Sequence, residues 1–91
     1  MLRYDPVKNA ANVAKHGMAL SDFTGFDAPP RVEEDLRRPY GERRFRAVGY
    51  IDGKGHCLVY SPRGVDIQLI SFRRAHEKEF RRHGLSTDRS D

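Results

Sequence analysis

The residues of this chain that can do chemistry are four histidines, His16, His56, His76 and His83, and a dense set of cations, 17 Lys and Arg against 13 Asp and Glu. The cations fall into three clusters. Lys8 stands with Lys15 and His16, Arg43 with Arg44 and Arg46, and Arg73 with Arg74, Arg81 and Arg82. Such residues suit the cleavage of RNA without a metal ion. A general base removes the proton of a 2′-hydroxyl, which attacks the adjacent phosphate, and a general acid protonates the departing 5′-oxygen. Cations stabilise the charge that builds on the phosphorane. Histidine serves as acid or base near neutral pH, and the arginine fork matches two phosphate oxygens. Each cluster alone reads as a solvated charged face. Helices packed at one end of a sheet would join the three into one positive groove.

Other chemistries have less support. No two histidines show the spacing of a zinc motif, and Cys57 is the single cysteine. Glu33, Glu34 and Asp35 read as an exposed acidic strand rather than a ligand set. No glycine-rich phosphate loop or serine-nucleophile motif is present. Cys57 lies in an apolar run and reads as a small buried hydrophobe. One cysteine permits no internal disulfide, which fits a reducing compartment. No apolar run approaches the length of a membrane span and no signal peptide opens the chain, so the expected location is cytoplasmic. The net charge of +4 favours phosphate-rich or acidic partners.

The elements that must position these groups are legible in part. At 91 residues the chain reads as one domain over 1–85, with a polar, disordered tail at 86–91. Asp5 and Pro6 open a helix that Gly17 ends. Val7, Ala10, Ala11 and Ala14 recur on its apolar face. Ser21 caps a short second helix carrying Phe23 and Phe26, and Asp27-Ala28-Pro29-Pro30 breaks the chain. A charged edge strand spans Arg31 to Arg38. Strands follow at Phe45–Ile51, Cys57–Tyr60 and Ile67–Phe72, joined by turns at Asp52-Gly53-Lys54-Gly55 and Ser61-Pro62-Arg63-Gly64. Arg74 to His83 reads as a closing helix ended by Gly84. This order predicts an α+β fold, an antiparallel sheet with its helices segregated on one face.

The order of several motifs resembles the BrnT toxins. Tyr4-Asp5-Pro6-Val7-Lys8, Asn12 and Lys15-His16-Gly17 are similar to that family's opening. Asp27 followed by Pro29 resembles its Asp-Pro. Glu42, Arg44, Phe45, Val48 and Gly49 match its Glu-Arg-Phe stretch. Leu69-Ile70-Ser71-Phe72-Arg73-Arg74-Ala75 with Glu79 matches its Ile-Ser-x-Arg signature. The resemblance covers residues 2 to about 83. It implies a RelE-like compact antiparallel sheet with N-terminal helices and a C-terminal helix packed on it. It implies a metal-independent endoribonuclease toxin of a type II toxin–antitoxin pair, with no cofactor. The implied partner is a BrnA-like ribbon-helix-helix antitoxin, through which alone the complex would meet DNA.

Lys8, Lys15, His16, Arg44, Arg73 and Glu79 match family motif positions; the catalytic candidates are Arg73, Lys8, Arg44 and Glu79, and the RNA-binding candidates are Lys15, His16, Arg74 and His83. Arg73 is the first candidate for a clamp on the scissile phosphate. Its alternative role is to pair with Glu77 or Glu79 and pin the closing helix. His16 suits a second role, interaction with the last carbonyls of the first helix. Two positions depart from the family: His83 stands near a common Tyr, and Gln68 where a basic residue is common. The competing function is a non-catalytic protein-binding module that acts with a DNA-binding antitoxin in operon autoregulation.

Overall fold

The computed structural model describes residues 1–85, and the expected disordered tail at 86–91 lies outside the described residues. The elements are β1 (Leu2–Arg3), α1 (Pro6–His16), a 3₁₀ turn at Leu20–Asp22, β2 (Arg31–Glu34), β3 (Phe45–Ile51), β4 (Lys54–Arg63), β5 (Asp66–Arg74) and α2 (Glu77–Arg82). The five strands form one sheet in the order β1-β5-β4-β3-β2. The fold is α+β, as the sequence predicts. The sheet is mixed rather than antiparallel, because Leu2 and Arg3 pair in parallel with Ile67 and Gln68. A two-residue strand before the first helix carries too little hydrophobic pattern to be read from sequence.

Local chemistry explains the ends of these elements. The Val7 amide donates to the Asp5 carboxylate at 2.8 Å, and Pro6 opens α1. Gly17 closes α1 at φ 71°, where its amide reaches the Val13 carbonyl. Asp52 and Gly53 form the two-residue turn between β3 and β4, at φ 52° and 74°. Both left-handed residues suit the twist of a tight hairpin. Asp27 clamps that turn by accepting the Asp52 and Gly53 amides at 3.1 Å each.

Several expected boundaries move. β4 runs through Ser61 and Pro62 to Arg63, so the second turn is Gly64-Val65. Pro62 is tolerated because β3 ends its pairing with β4 at Tyr60, which leaves no β3 partner for its missing N–H. β5 extends to Arg74, so the closing helix spans Glu77–Arg82 rather than Arg74–His83. The first edge strand stops at Glu34. Ser21 lies inside the 3₁₀ turn, and Phe23 and Phe26 follow it instead of riding on a helix.

The larger core holds Leu20, Phe23, Ala47, Leu58, Leu69 and Phe72 on one sheet face. Phe23 meets Phe26 and Phe72 edge to face, with centroids 5.3 and 5.4 Å apart. Gly49 is required here, because a Cβ would stand 2.9 Å from the Phe26 ring. The opposite face holds Val48, Cys57 and Phe80, with Tyr50 edge-on to Phe80. Burial pushes the Cys57 thiol up to about 11, in keeping with a packed, inert residue. Thus the 3₁₀ turn covers one face and α2 part of the other. The helices are not segregated.

The mounting of α1 reverses the expected polarity. Val7, Ala10, Ala11 and Ala14 are exposed, Val7 at 77%. Asn12, on the opposite side, is buried. Its amide nitrogen donates to the Phe72 carbonyl at 2.7 Å and to the Met18 carbonyl at 2.6 Å, while its oxygen accepts the Phe72 amide. Beyond Gln68, β5 has no strand on its β1 side. Asn12 therefore supplies the donor and acceptor of a missing strand. Each backbone group left buried without a partner would cost about 1–3 kcal/mol. Asn9 secures the same side by accepting the Leu20 amide at 2.6 Å. The helix thus binds a sheet edge by polar contacts, which needs no apolar stripe.

Candidate nucleic-acid interface

Strand alternation places Arg73 on the α2 side of the sheet. Directly opposed residues share a face. The row Val48, Cys57 and Arg73 carries the buried Val48 and Cys57 beneath Phe80. The next row is Glu33, Arg46, Val59 and Ser71. Ser61 and Gln68 oppose each other on this face one row further on. Arg73 and Arg46 therefore rise from the same surface on strands β5 and β3.

The carboxylates behind these arginines fix their directions. Arg73 donates to both oxygens of Glu79, at 2.6 and 3.2 Å. Glu79 also accepts the His76 amide at 2.8 Å, at the start of α2. Burial raises the Glu79 pKa, but Arg73 and that amide outweigh it and the net direction is downward. For Arg73, burial works against the charged form while Glu79 favours it, and the net direction is upward. Arg73 thus has the pinning partner considered as its alternative role. Its Nη1 also donates to the Arg74 carbonyl at 3.2 Å, and of the five guanidinium donors the Nε–H and one Nη2–H are left to face a phosphate. Arg46 donates to Glu33 at 2.9 Å, and its Nε is buried without a hydrogen-bond partner among the described residues. Arg82 bonds the same Glu33 oxygen.

A second cationic region adjoins this face at the β5 edge. Lys8, Lys15, His16 and Asn12 of α1 line a cleft of about 260 Å³ with Ile70 and Ser71. Ser71 belongs to the row that also holds Arg46, so the cleft opens onto the arginine face. Lys8 and Lys15 are exposed and lack a carboxylate partner among the described residues. Burial lowers the His16 pKa, and Lys15, Arg73 and His76 lower it further. His16 is therefore predominantly neutral at pH 7 and has the free electron pair that a base requires.

The remaining predicted residues lie elsewhere. Arg74 projects to the opposite face, where its Nε donates to Gly55 at 3.1 Å beside His56 and Lys54. The reason is the strand itself: adjacent residues 73 and 74 must point apart. Reading Arg74 as helical concealed that. Arg44 sits at the Asp35 end of the face, 3.4 Å from Glu42 and over the Tyr40 ring. His83 packs near Glu33, 3.9 Å away, and its Nε2 has no hydrogen-bond partner among the described residues. Of the three sequence clusters, only parts share a region: Lys8, Lys15 and His16 line the cleft, and Arg46 and Arg73 stand on the adjoining sheet face. Arg43 and Arg81 instead pair with Glu34 and Glu77.

Arg46 and Ser71 were absent from the predicted site set, although two-residue alternation from Arg44 and from Arg73 marks both. Among the described residues no helix is long and apolar enough to cross a membrane.

The structure is a small α+β domain with an arginine-bearing sheet face beside a lysine-lined cleft. The chain belongs to the BrnT family of ribonuclease toxins of type II toxin–antitoxin systems, whose family model matches residues 4–79. That span includes Lys8, Lys15, His16, Arg44, Arg73, Arg74 and Glu79, and excludes His83. No curated protein matched the chain.

Proposed function

We propose that this chain is a metal-independent endoribonuclease toxin of the cytoplasm, which cuts RNA to arrest translation and growth. The observation that carries this reading is the cleft that Lys8, Lys15 and His16 line with Ser71, two residues along β5 from Arg73. In this mechanism His16 takes the 2′-hydroxyl proton. Arg73, oriented by Glu79, clamps the scissile phosphate. Lys8 and Lys15 neutralise charge along the backbone and on the phosphorane. His76, exposed just before α2 and beside Glu79, returns a proton to the 5′-oxygen. Arg44 holds more distant backbone.

The partner in this reading is a BrnA-like ribbon-helix-helix antitoxin, through which the complex reaches its operator DNA. Binding at the cationic surface would inhibit the toxin and stabilise it together, because a ligand of the folded form alone shifts the folding equilibrium. The test is incubation of purified chain with labelled RNA, with and without a chelator and with and without that antitoxin. The reading requires cleavage that survives chelation and stops on adding the antitoxin. Cleavage abolished by chelation and restored by a divalent ion would overturn the metal-independent mechanism.

The two-pronged Arg73–Glu79 pair favours a second reading, a binding module without catalysis. In that case Arg73 only anchors α2. Expression without the antitoxin would leave growth and cellular RNA intact, whereas the enzyme causes arrest with RNA decay.

A further inference from the structure

The loop that joins β2 to β3 is organised around one buried carboxylate that the mechanism above does not use. The Asp35 side chain is 1% exposed. It accepts the Arg37 Nε at 2.8 Å, the Arg37 Nη2 at 2.7 Å, the Arg37 amide at 3.2 Å and the Tyr40 hydroxyl at 2.9 Å. The Tyr40 ring is flanked by the Arg44 and Arg38 guanidinium groups, centred 4.2 and 5.3 Å from it. The Asp35 amide continues the strand ladder to the Arg44 carbonyl at 2.7 Å. Alternation from Glu33 carries Asp35 to the face that bears Arg46 and Arg73.

The carboxylate holds both the backbone and the fork of Arg37. The hydrogen bonds from Arg37 keep Asp35 ionised far below the usual carboxylate range, against the effect of burial. Arg37 itself is 59% exposed, so one edge of its fork is fixed while the rest meets solvent. Its charge is felt by Arg73 and by Cys57, both on the arginine face. A flexible exposed arginine loses side-chain entropy on binding. This one is already ordered.

We propose that Arg37 is a second backbone-phosphate contact for RNA, and that Asp35 is the residue that positions it. The inference rests on the reading of this face as an RNA site. Arg37 follows β2 and Arg73 stands on β5, and each fork is already tied to its own carboxylate, so the two offer separate donor edges to different phosphates of one strand. Arg37 sets how much RNA beyond the scissile bond contributes to binding. Its contribution appears in substrate affinity, because this contact is the same before and during bond cleavage.

The experiment compares parent, Arg37→Ala, Arg37→Lys and Asp35→Asn on a dinucleotide and on an RNA of about ten nucleotides, the scale of a single-strand binding site. Arg37→Ala should raise KM for the longer RNA about tenfold and change kcat little, because the contact is uniform. The dinucleotide should respond far less. Arg37→Lys should recover only part of the loss, since a point charge does not reproduce the fork. Asp35→Asn should raise KM in the same length-dependent way. If Asp35→Asn fails to fold, the exposed Arg37 variants carry the test. The same chains are titrated with a non-cleavable 2′-O-methyl oligonucleotide by fluorescence anisotropy. Parent binding that Arg37→Ala weakens supports the inference even if no RNA is cut, an outcome that would remove only the catalytic reading. Equal KM for the longer RNA, or equal anisotropy curves, in parent and Arg37→Ala would overturn it.

Discussion

Two cationic regions meet at Ser71, and they are built differently. On the sheet, Arg73 and Arg46 each lean on a carboxylate, Glu79 or Glu33, and their side chains are only 18% and 14% exposed. On α1, Lys8 and Lys15 are exposed with no such partner among the described residues, beside a histidine whose pKa is lowered. The pairs on the sheet give direction but little net charge. The lysines on the helix give charge but little direction. A phosphate site needs both, because geometry stabilises a transition state while unpaired charge attracts the backbone.

The strongest test of that contrast is at Arg73. Arg73→Ala should lower RNA cleavage by about 100-fold, the scale of one lost electrostatic contact at a reacting group. It should also destabilise the fold by about 2–5 kcal/mol, because Glu79 is left buried and unpaired. Arg73→Met combined with Glu79→Leu should recover most of the melting temperature and none of the activity. Recovery of both would show that Arg73 only pins α2.

Lys8→Ala with Lys15→Ala should act in the opposite manner. RNA affinity should fall about tenfold, and the slope of log affinity against log salt should decrease by about 0.7 for each lysine removed. The melting temperature should hardly move, since neither lysine has a carboxylate partner to lose among the described residues. A large stability loss with an unchanged salt slope would erase the distinction between the two regions.

A smaller effect is expected from pH. The folded His16 pKa lies below the ordinary value of 6.5. The unfolded chain therefore takes up this proton first as pH falls. The His16 contribution to stability is complete above 6.5 and is lost from there down through the lowered folded value. Activity should fall over the same acid range as the base becomes protonated. His16→Gln should remove the acid limb of the rate profile and flatten that part of the stability curve. An unchanged acid limb in the variant would assign the titration to another group.

The smallest effect belongs to the outer side of α1. Val7→Ser should change stability by less than about 0.5 kcal/mol, because Val7 is 77% exposed. A loss on the scale of a core substitution, about 2 kcal/mol or more, would mean that this side of the helix is covered.

The fold was legible where one residue type has one conformational use. Asp5, Pro6 and Gly17 bounded α1 correctly, and Asp52-Gly53 marked the hairpin between β3 and β4. The cationic character was legible too, since 17 Lys and Arg against 13 Asp and Glu favour phosphate-rich or acidic partners. The side of α1 that meets the sheet was not legible. Periodicity identifies an apolar stripe but assumes that a core receives it, whereas Asn12 binds a backbone edge that exists only once β5 is in place.

Assignment of the arginines had the same limit. Arg73 and Arg74 are equivalent as neighbours in the sequence, and β5 sends one to each face. Glu33 and Arg46 are 13 positions apart, yet strand register joins them. Asp35 and Arg37 are close in sequence, but nothing local shows that their pair would be buried at one end and open at the other. Composition and turn chemistry are properties of single residues and short segments, so the sequence by itself determined the bounds of α1, the β3–β4 turn and the cationic character. Register, sheet order and burial are relations between distant segments, so only the tertiary structure decided which cations share a surface and which carboxylates orient them.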